Sequence, residues 1–178
     1  MKNKIKVFGF IAIVLIFTLS ATSCSGQSGG GKSLNSAEEL KAYLDKQPVN
    51  GPDKPIKVSM TINDPMLKNV ADVLKSAGKY VILNISGNTL TTIPDYVFSK
   101  CETLVSITIP DSVTSMGGGI YGRSFADCTS LTSVTFHGTI SSNNIGFFSF
   151  PGDLRSKYLE GGPGTYKRFA NGETWNKQ

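Results

Sequence analysis

The sequence predicts an α/β fold: a short solenoid of two to three stacked turns, with an N-terminal helix/strand cap and a C-terminal helix/hairpin cap. Three observations predict it. A unit recurs at an offset of 27 residues, Phe98 to Ile109 reading FSKCETLVSITI and Phe125 to Phe136 reading FADCTSLTSVTF. The chain before this unit carries helix and strand periodicities in alternation, and the chain after it crowds aromatic residues around turn signals.

The first element is a leader. Val7 to Leu19 (VFGFIAIVLIFTL) is an apolar run behind Lys2, Lys4 and Lys6, and it ends in Ala21, Thr22 and Ser23. A basic start, a short apolar stretch and small residues are the pattern of a secretory signal peptide, too short to span a bilayer with ease. Ala21-Thr22-Ser23-Cys24 resembles a bacterial lipobox in the relaxed form of spirochaetal lipoproteins, with Ala21 where Leu is commoner. The resemblance implies that Cys24 is acylated and becomes the first residue of the mature chain. Two or more acyl chains hold a protein stably on a membrane, at about 0.8 kcal/mol per buried methylene. The competing reading is an ordinary secreted protein with an incidental Cys24.

The second element is a tether. Gly and Ser dominate Ser25 to Ser33, and such a stretch has no apolar surface to bury. Within it Gly26 to Ser33 (GQSGGGKS) fits the phosphate-loop pattern, which would make this a nucleotide-binding protein. That chemistry needs a buried strand before the loop and a helix starting at the Lys-Ser, so that amides face the phosphates. Here a signal peptide precedes it, and the first helix signal, Ser36-Ala37-Glu38-Glu39, comes about a turn later. No nucleotide is expected.

The N-terminal cap follows. Ser36 and Glu39 form a capping box ahead of Leu40, Tyr43 and Leu44, predicting a helix from Ser36 to Lys46. Ile56 to Ile62 (IKVSMTI) alternates as a strand. Asp64-Pro65 caps a second helix with Leu67, Val70, Ala71 and Leu74 on one face, and Gly78 stops it.

The repeat unit ends in two apolar residues one apart, which places both side chains on one face of a short strand. Phe, Cys and Leu at intervals of three make a single-turn segment that fills the layer beneath. One such layer cannot bury itself, so it must stack. Val81 to Phe98 supplies a preceding turn, with Leu83 and Ile85 in its strand and Leu90, Ile93 and Phe98 inside. The predicted repeat core is Leu83, Ile85, Phe98, Cys101, Leu104, Ile107, Ile109, Phe125, Cys128, Leu131, Val134 and Phe136. Gly117 to Gly122 is an insertion that leaves as a loop. In the C-terminal cap, Asp153 to Glu160 predicts a short helix, and Asn171-Gly172 a hairpin over Tyr166 to Trp175. Phe147, Phe148, Phe150, Tyr166, Phe169 and Trp175 are read as core of that cap in preference to a ligand platform.

SITIPDSVTSMGGG followed by FADCTSLTSVTF closely resembles the BspA-like leucine-rich repeat, whose usual form is an apolar strand, I-P-D-S-V-T-S-I-G, then A-F-x-x-C-x-S-L. The resemblance covers about Val81 to Phe136 and departs from the pattern at the triglycine. It implies strand positions at Ile107 and Ile109, a turn at Pro110 and Asp111, inward packing of Val113 and Met116, and the next layer from Phe125, Cys128 and Leu131. The flanks, especially PGDLRSKYLEGGPGTYKR at Pro151 to Arg168, are similar to those of small spirochaetal surface lipoproteins. The family implies a cell-surface protein that adheres to host matrix proteins or to other bacteria.

Composition narrows the chemistry. The 178-residue chain carries +5, but without the leader's three lysines 15 Lys plus Arg face 13 Asp plus Glu, about +2 and scattered, so no nucleic-acid partner is expected. His137 is the only histidine, and the acidic residues are spread through turns. No catalytic, cofactor-binding or metal-binding residue is assigned. Cys101 and Cys128 occupy equivalent positions whose side chains point in parallel, poor geometry for a disulfide, and read as buried thiols.

The resulting organisation is a signal peptide at 1–23, a tether at 24–35, an N-terminal capping region at 36–79, repeats at 80–140 and a C-terminal cap at 141–178. The expected protein is a non-catalytic lipoprotein of the cell envelope, anchored through Cys24, whose repeats bind a protein partner. Outward Ser106, Thr108, Ser133 and Thr135 suit such a face and equally suit a merely soluble strand. The alternative is a structural envelope or assembly protein without a host ligand.

Overall fold

The computed structural model describes residues 32–178. Nine strands and three helices follow one another. The order is β1 (Lys32–Leu34), α1 (Ala37–Asp45), β2 (Ile56–Thr61), α2 (Asp64–Ala77), β3 (Val81–Ser86), β4 (Thr92–Ile93), β5 (Leu104–Ile109), β6 (Ser115–Met116), β7 (Ser133–Phe136), α3 (Leu154–Gly161), β8 (Gly164–Lys167) and β9 (Asn176–Lys177). The main sheet runs β1-β2-β3-β5-β7-β8-β9, and β4 pairs with β6 in a small second sheet. The first five strands of the main sheet are mutually parallel, and β8 and β9 close it in antiparallel fashion.

The caps are built much as the sequence predicts, with four corrections. Ser36 accepts the Glu39 amide, but the Glu39 carboxylate reaches the Asn35 amide, one residue before the expected reciprocal partner. Helix α2 is capped by Asn63, whose side chain accepts the Met66 amide; Pro65 sits in the first turn, and Gly78 ends the helix in the left-handed region at φ 59°. Lys32–Leu34, inside the stretch read as tether, forms strand β1 beside β2. The Asn171-Gly172 turn is present, with Gly172 donating to the Phe169 carbonyl, but the strands it connects are Gly164–Lys167 and Asn176–Lys177, joined by a loop longer than a tight hairpin allows.

Every other side chain of the parallel strands points into one core: Val58, Met60, Leu83, Ile85, Ile107, Ile109, Val134 and Phe136 are all buried. All twelve residues of the predicted repeat core lie in that cluster. Beneath the strands, the Phe-x-x-Cys-x-x-Leu segments coil through successive three-residue bonds, Cys101 to Phe98 and Leu104 to Cys101, then Cys128 to Phe125 and Leu131 to Cys128. The Phe98 and Phe125 rings stack at 4.9 Å and 8°. Phe150 adds a third ring at 5.0 Å and 5° from Phe125. Backbone bonds repeat with it, Phe98 donating to the Ser124 carbonyl and Phe125 to that of Ser149. A third turn therefore reaches into 141–178, where Ile145 pairs with Met116 in a parallel bridge.

Candidate functional site

The outward residues of the parallel strands fall into register across the sheet. Pairing aligns Ser33, Ser59, Asn84, Thr108, Thr135 and Thr165 in one row. A second row aligns Lys57, Ile82, Ser106, Ser133, Lys167 and Asn176. At the usual strand spacing of about 4.8 Å, six positions make a strip about 24 Å long. The hydroxyls partly satisfy one another: Thr108 donates to the Asn84 carboxamide oxygen at 3.0 Å, and Thr135 and Thr165 share a bond of 2.9 Å. Hydroxyls and carboxamides both donate and accept, so the strip can pair with polar groups of either kind, and its charges, Lys57 and Lys167, stand on different strands of the second row.

Both edges of the stack are closed by charged side chains. On the N-terminal side, Asp64 accepts the backbone N–H groups of Thr91 and Thr92 and the Thr91 hydroxyl, satisfying donors at the open side of β4. Those bonds, that of the Thr91 amide foremost, hold its carboxyl below the usual range. On the C-terminal side, buried Arg168 donates to the carbonyls of Leu131, Cys128 and Gly172 and stacks over Trp175 at 5.1 Å. Burial pushes its pKa down. Tyr158 donates to the Gly138 carbonyl and accepts the Ile140 amide, and Trp175 donates from its ring to the Pro151 carbonyl. Asp153 does not cap α3 with its side chain; its carboxylate accepts the Trp175 amide instead.

Cys101 and Cys128 are free and buried. Desolvation drives each thiol up to about 12, and Cys128 donates its S–H to the Phe98 carbonyl. They pack as small apolar groups, and burial disfavours the thiolate form. His137 is exposed beyond β7. Among the described residues, no group of three His, Cys, Asp or Glu side chains is placed to hold a metal ion, and no helix is long and apolar enough to cross a membrane. Lys32 and Ser33 lie in strand β1, three residues before helix α1 begins at Ala37, and so cannot present a helix N-terminus to a phosphate. Cys24 and residues 1–23 lie outside the described residues.

Sequence reasoning missed two interior residues of the last turn, Ile140 and Ile145, and both charged closers, and it placed Phe150 in the cap core without seeing that its ring continues the Phe98–Phe125 stack. Phe150 follows Phe125 by 25 residues, where Phe125 follows Phe98 by 27, and the Cys and Leu positions after it are absent, so the repeat offset passes over it. The aromatics read as cap core divide: Phe150, Tyr166 and Trp175 are buried, whereas Phe147, Phe148 and Phe169 are exposed.

No curated protein and no solved structure matches the chain. A family model does, and it points to a role in protein interaction. It counts six copies where the offset of 27 predicts two to three turns; six copies sharing residues 76–162 are each shorter than a structural turn. The matched family is the BspA type Leucine rich repeat region, over residues 76–162.

Proposed function

We propose that this chain is an exported, lipid-anchored envelope protein whose leucine-rich-repeat solenoid binds a protein partner and performs no chemistry. The observation that carries it is the hydroxyl strip of the main sheet, on a chain whose residues 76–162 match a leucine-rich-repeat family model. A hydrogen-bonding surface whose charges are Lys57 and Lys167 suits many weak contacts with a partner at a membrane or matrix surface, and preorganisation lowers their entropic cost. In this reading 1–23 is removed, Cys24 carries the acyl chains, and the Gly/Ser stretch holds the folded part off the membrane. The partner is a host matrix protein or another bacterial surface protein.

Two experiments test the two halves of the proposal. Cells fed labelled fatty acid should mark the wild-type chain and leave Cys24→Ser unmarked; equal labelling of neither would make it an ordinary secreted protein. Full-length protein should bind immobilised matrix proteins, and Thr108→Arg with Thr135→Arg should weaken that binding about tenfold or more, since two bulky cations would interrupt the strip. Protection from protease on intact cells, with no matrix binding, would place it inside the envelope instead.

A further inference from the structure

The opposite kind of surface lies away from the hydroxyl strip, where two loops meet. Ile120, Tyr121, Phe147 and Phe148 are 64%, 74%, 55% and 51% exposed, a contiguous group among the large apolar residues that face solvent. Tyr121 and Phe148 stack at 6.4 Å, Arg123 lies over the Phe148 ring at 5.5 Å, and Arg155 over Phe147 at 4.1 Å. Exposed Tyr96 belongs to the same stripe: Tyr96, Arg123 and Phe148 each precede by two residues one of the stacked rings Phe98, Phe125 and Phe150.

The backbone that carries these side chains is tied together by hydrogen bonds and close packing. The Phe147 amide donates to the Ile120 carbonyl at 2.7 Å, and Gly122 to that of Gly119. The loops cross backbone to backbone: a Cβ on Gly146 would stand 2.6 Å from Gly122, and one on Gly117 2.9 Å from Gly122. Only glycine permits that approach. The triglycine insertion is thus a packed crossing whose product is a fixed apolar display. A display of this sort costs solubility and marks an interaction site more often than chance. Its composition, aromatic and arginine without lysine, is that of the centre of a protein interface.

Charge selects the partner. Among the described residues the ion pairs are Lys41–Asp45 and Lys68–Asp72, so neither Arg123 nor Arg155 is salt-bridged. The nearby Asp95 carboxylate accepts the Arg123 backbone amide and forms no salt bridge with the Arg123 guanidinium. Beside the patch lies an open groove of about 440 Å³ lined by Ile120, Ser142, Asn143, Ile145, Phe147 and Arg155, in which Arg155 is the single charged residue. Arg155 spends two N–H groups on the carbonyls of Ile145 and Ser142, leaving three for a ligand. We infer that this patch docks an acidic segment of a partner protein, one apolar side chain entering the groove while neighbouring carboxylates meet Arg155 and Arg123. The inference rests on the protein-binding reading and adds to the sheet face a second contact on the two loops.

Selection of random twelve-residue peptides on the full chain in detergent tests it. Recovered peptides should carry Asp or Glu beside an aromatic or aliphatic residue. Affinity should fall about tenfold or more with Tyr121→Ser plus Phe147→Ser, and with Arg123→Glu, while Lys41→Ala on helix α1, outside both surfaces, leaves it unchanged. Replacing the acidic residue of a peptide by Lys should restore binding to Arg123→Glu. These exposed substitutions keep the fold, which circular dichroism would verify. Peptides lacking acidic residues, or binding indifferent to the patch variants, would overturn the inference. Loss through Thr108→Arg alone would overturn it while sparing the protein-binding reading, and recovery of no peptide would count against both. Self-association of the wild type that Tyr121→Ser plus Phe147→Ser abolishes would name a second copy as the occupant and likewise refute an acidic partner.

Discussion

The two halves of the main sheet reach the same register by different means. From β1 to β3 the parallel partners lie 26 and 25 residues apart, Lys32 to Val58 and Val58 to Leu83, and helices α1 and α2 make the return. From β3 to β7 they lie 24 and 27 apart, Leu83 to Ile107 and Ile107 to Val134, and the return runs through single-turn coils and the short strands β4 and β6. A helix satisfies its own backbone and asks the sequence only for an apolar stripe. An irregular return must place particular side chains at particular positions and bond its backbone to the turn above, so Phe, Cys and Leu recur. The comparison teaches that a repeat is visible in the sequence where the backbone depends on its neighbour, and invisible where a helix makes it self-sufficient.

Removing interior groups from each half should break the comparison most sharply. Phe125 is the middle ring of three, with neighbours at 4.9 and 5.0 Å. Phe125→Ala is expected to cost about 3–5 kcal/mol, and Leu67→Ala on α2 about 2–5 kcal/mol, both read by urea denaturation, with Phe125 the larger because it removes the middle of three stacked rings. A larger loss at Leu67 would mean that the helical half, and not the ring column, dominates stability.

Next in size is the C-terminal closure. Arg168→Ala strips donors from three carbonyls and should cost about 2–3 kcal/mol, with Arg168→Lys recovering only part, because one ammonium cannot span the fork. Thermal melts of both variants measure this.

The smallest effect belongs to the N-terminal closure. Asp64 is exposed and its carboxyl is depressed by the Thr91 bonds, so its contribution is present above the unfolded pKa, near 3.9, and is lost as pH falls through the lower folded value. Asp64→Ala should therefore cost about 1 kcal/mol or less at neutral pH and remove that part of the acid dependence, seen as melts of the two proteins converging below pH 4.

The middle of the molecule is legible in the sequence to the residue, since Phe98, Cys101, Leu104 and their equivalents at Phe125, Cys128 and Leu131 all sit where the offset puts them. The helices are legible through their caps and stripes, with Asn63 missed because Asp64-Pro65 carries the same signal one residue later. The turn ending at Phe150 is not legible, because its strand partner comes back antiparallel and α3 replaces the Cys and Leu positions. The hydroxyl strip is half legible: alternation gives Thr108 and Thr135, but their alignment with Ser59, Asn84 and Thr165 comes from register, which alternation cannot set. The patch is half legible: Ile120 and Tyr121 lie in the insertion that reads as an outgoing loop, whereas Phe147 and Phe148 read as cap core until the packing of Gly117, Gly122 and Gly146 turns their loop outward.

The claim beneath all of this is that successive turns lie on one another in register, and ring-to-ring NMR contacts test it most directly. With phenylalanines specifically labelled, the account predicts cross-peaks between Phe98 and Phe125 and between Phe125 and Phe150, whose centroids are 4.9 and 5.0 Å apart, and none between Phe98 and Phe150. A Phe98 to Phe150 contact, or the absence of both neighbouring contacts in a folded sample, would contradict it.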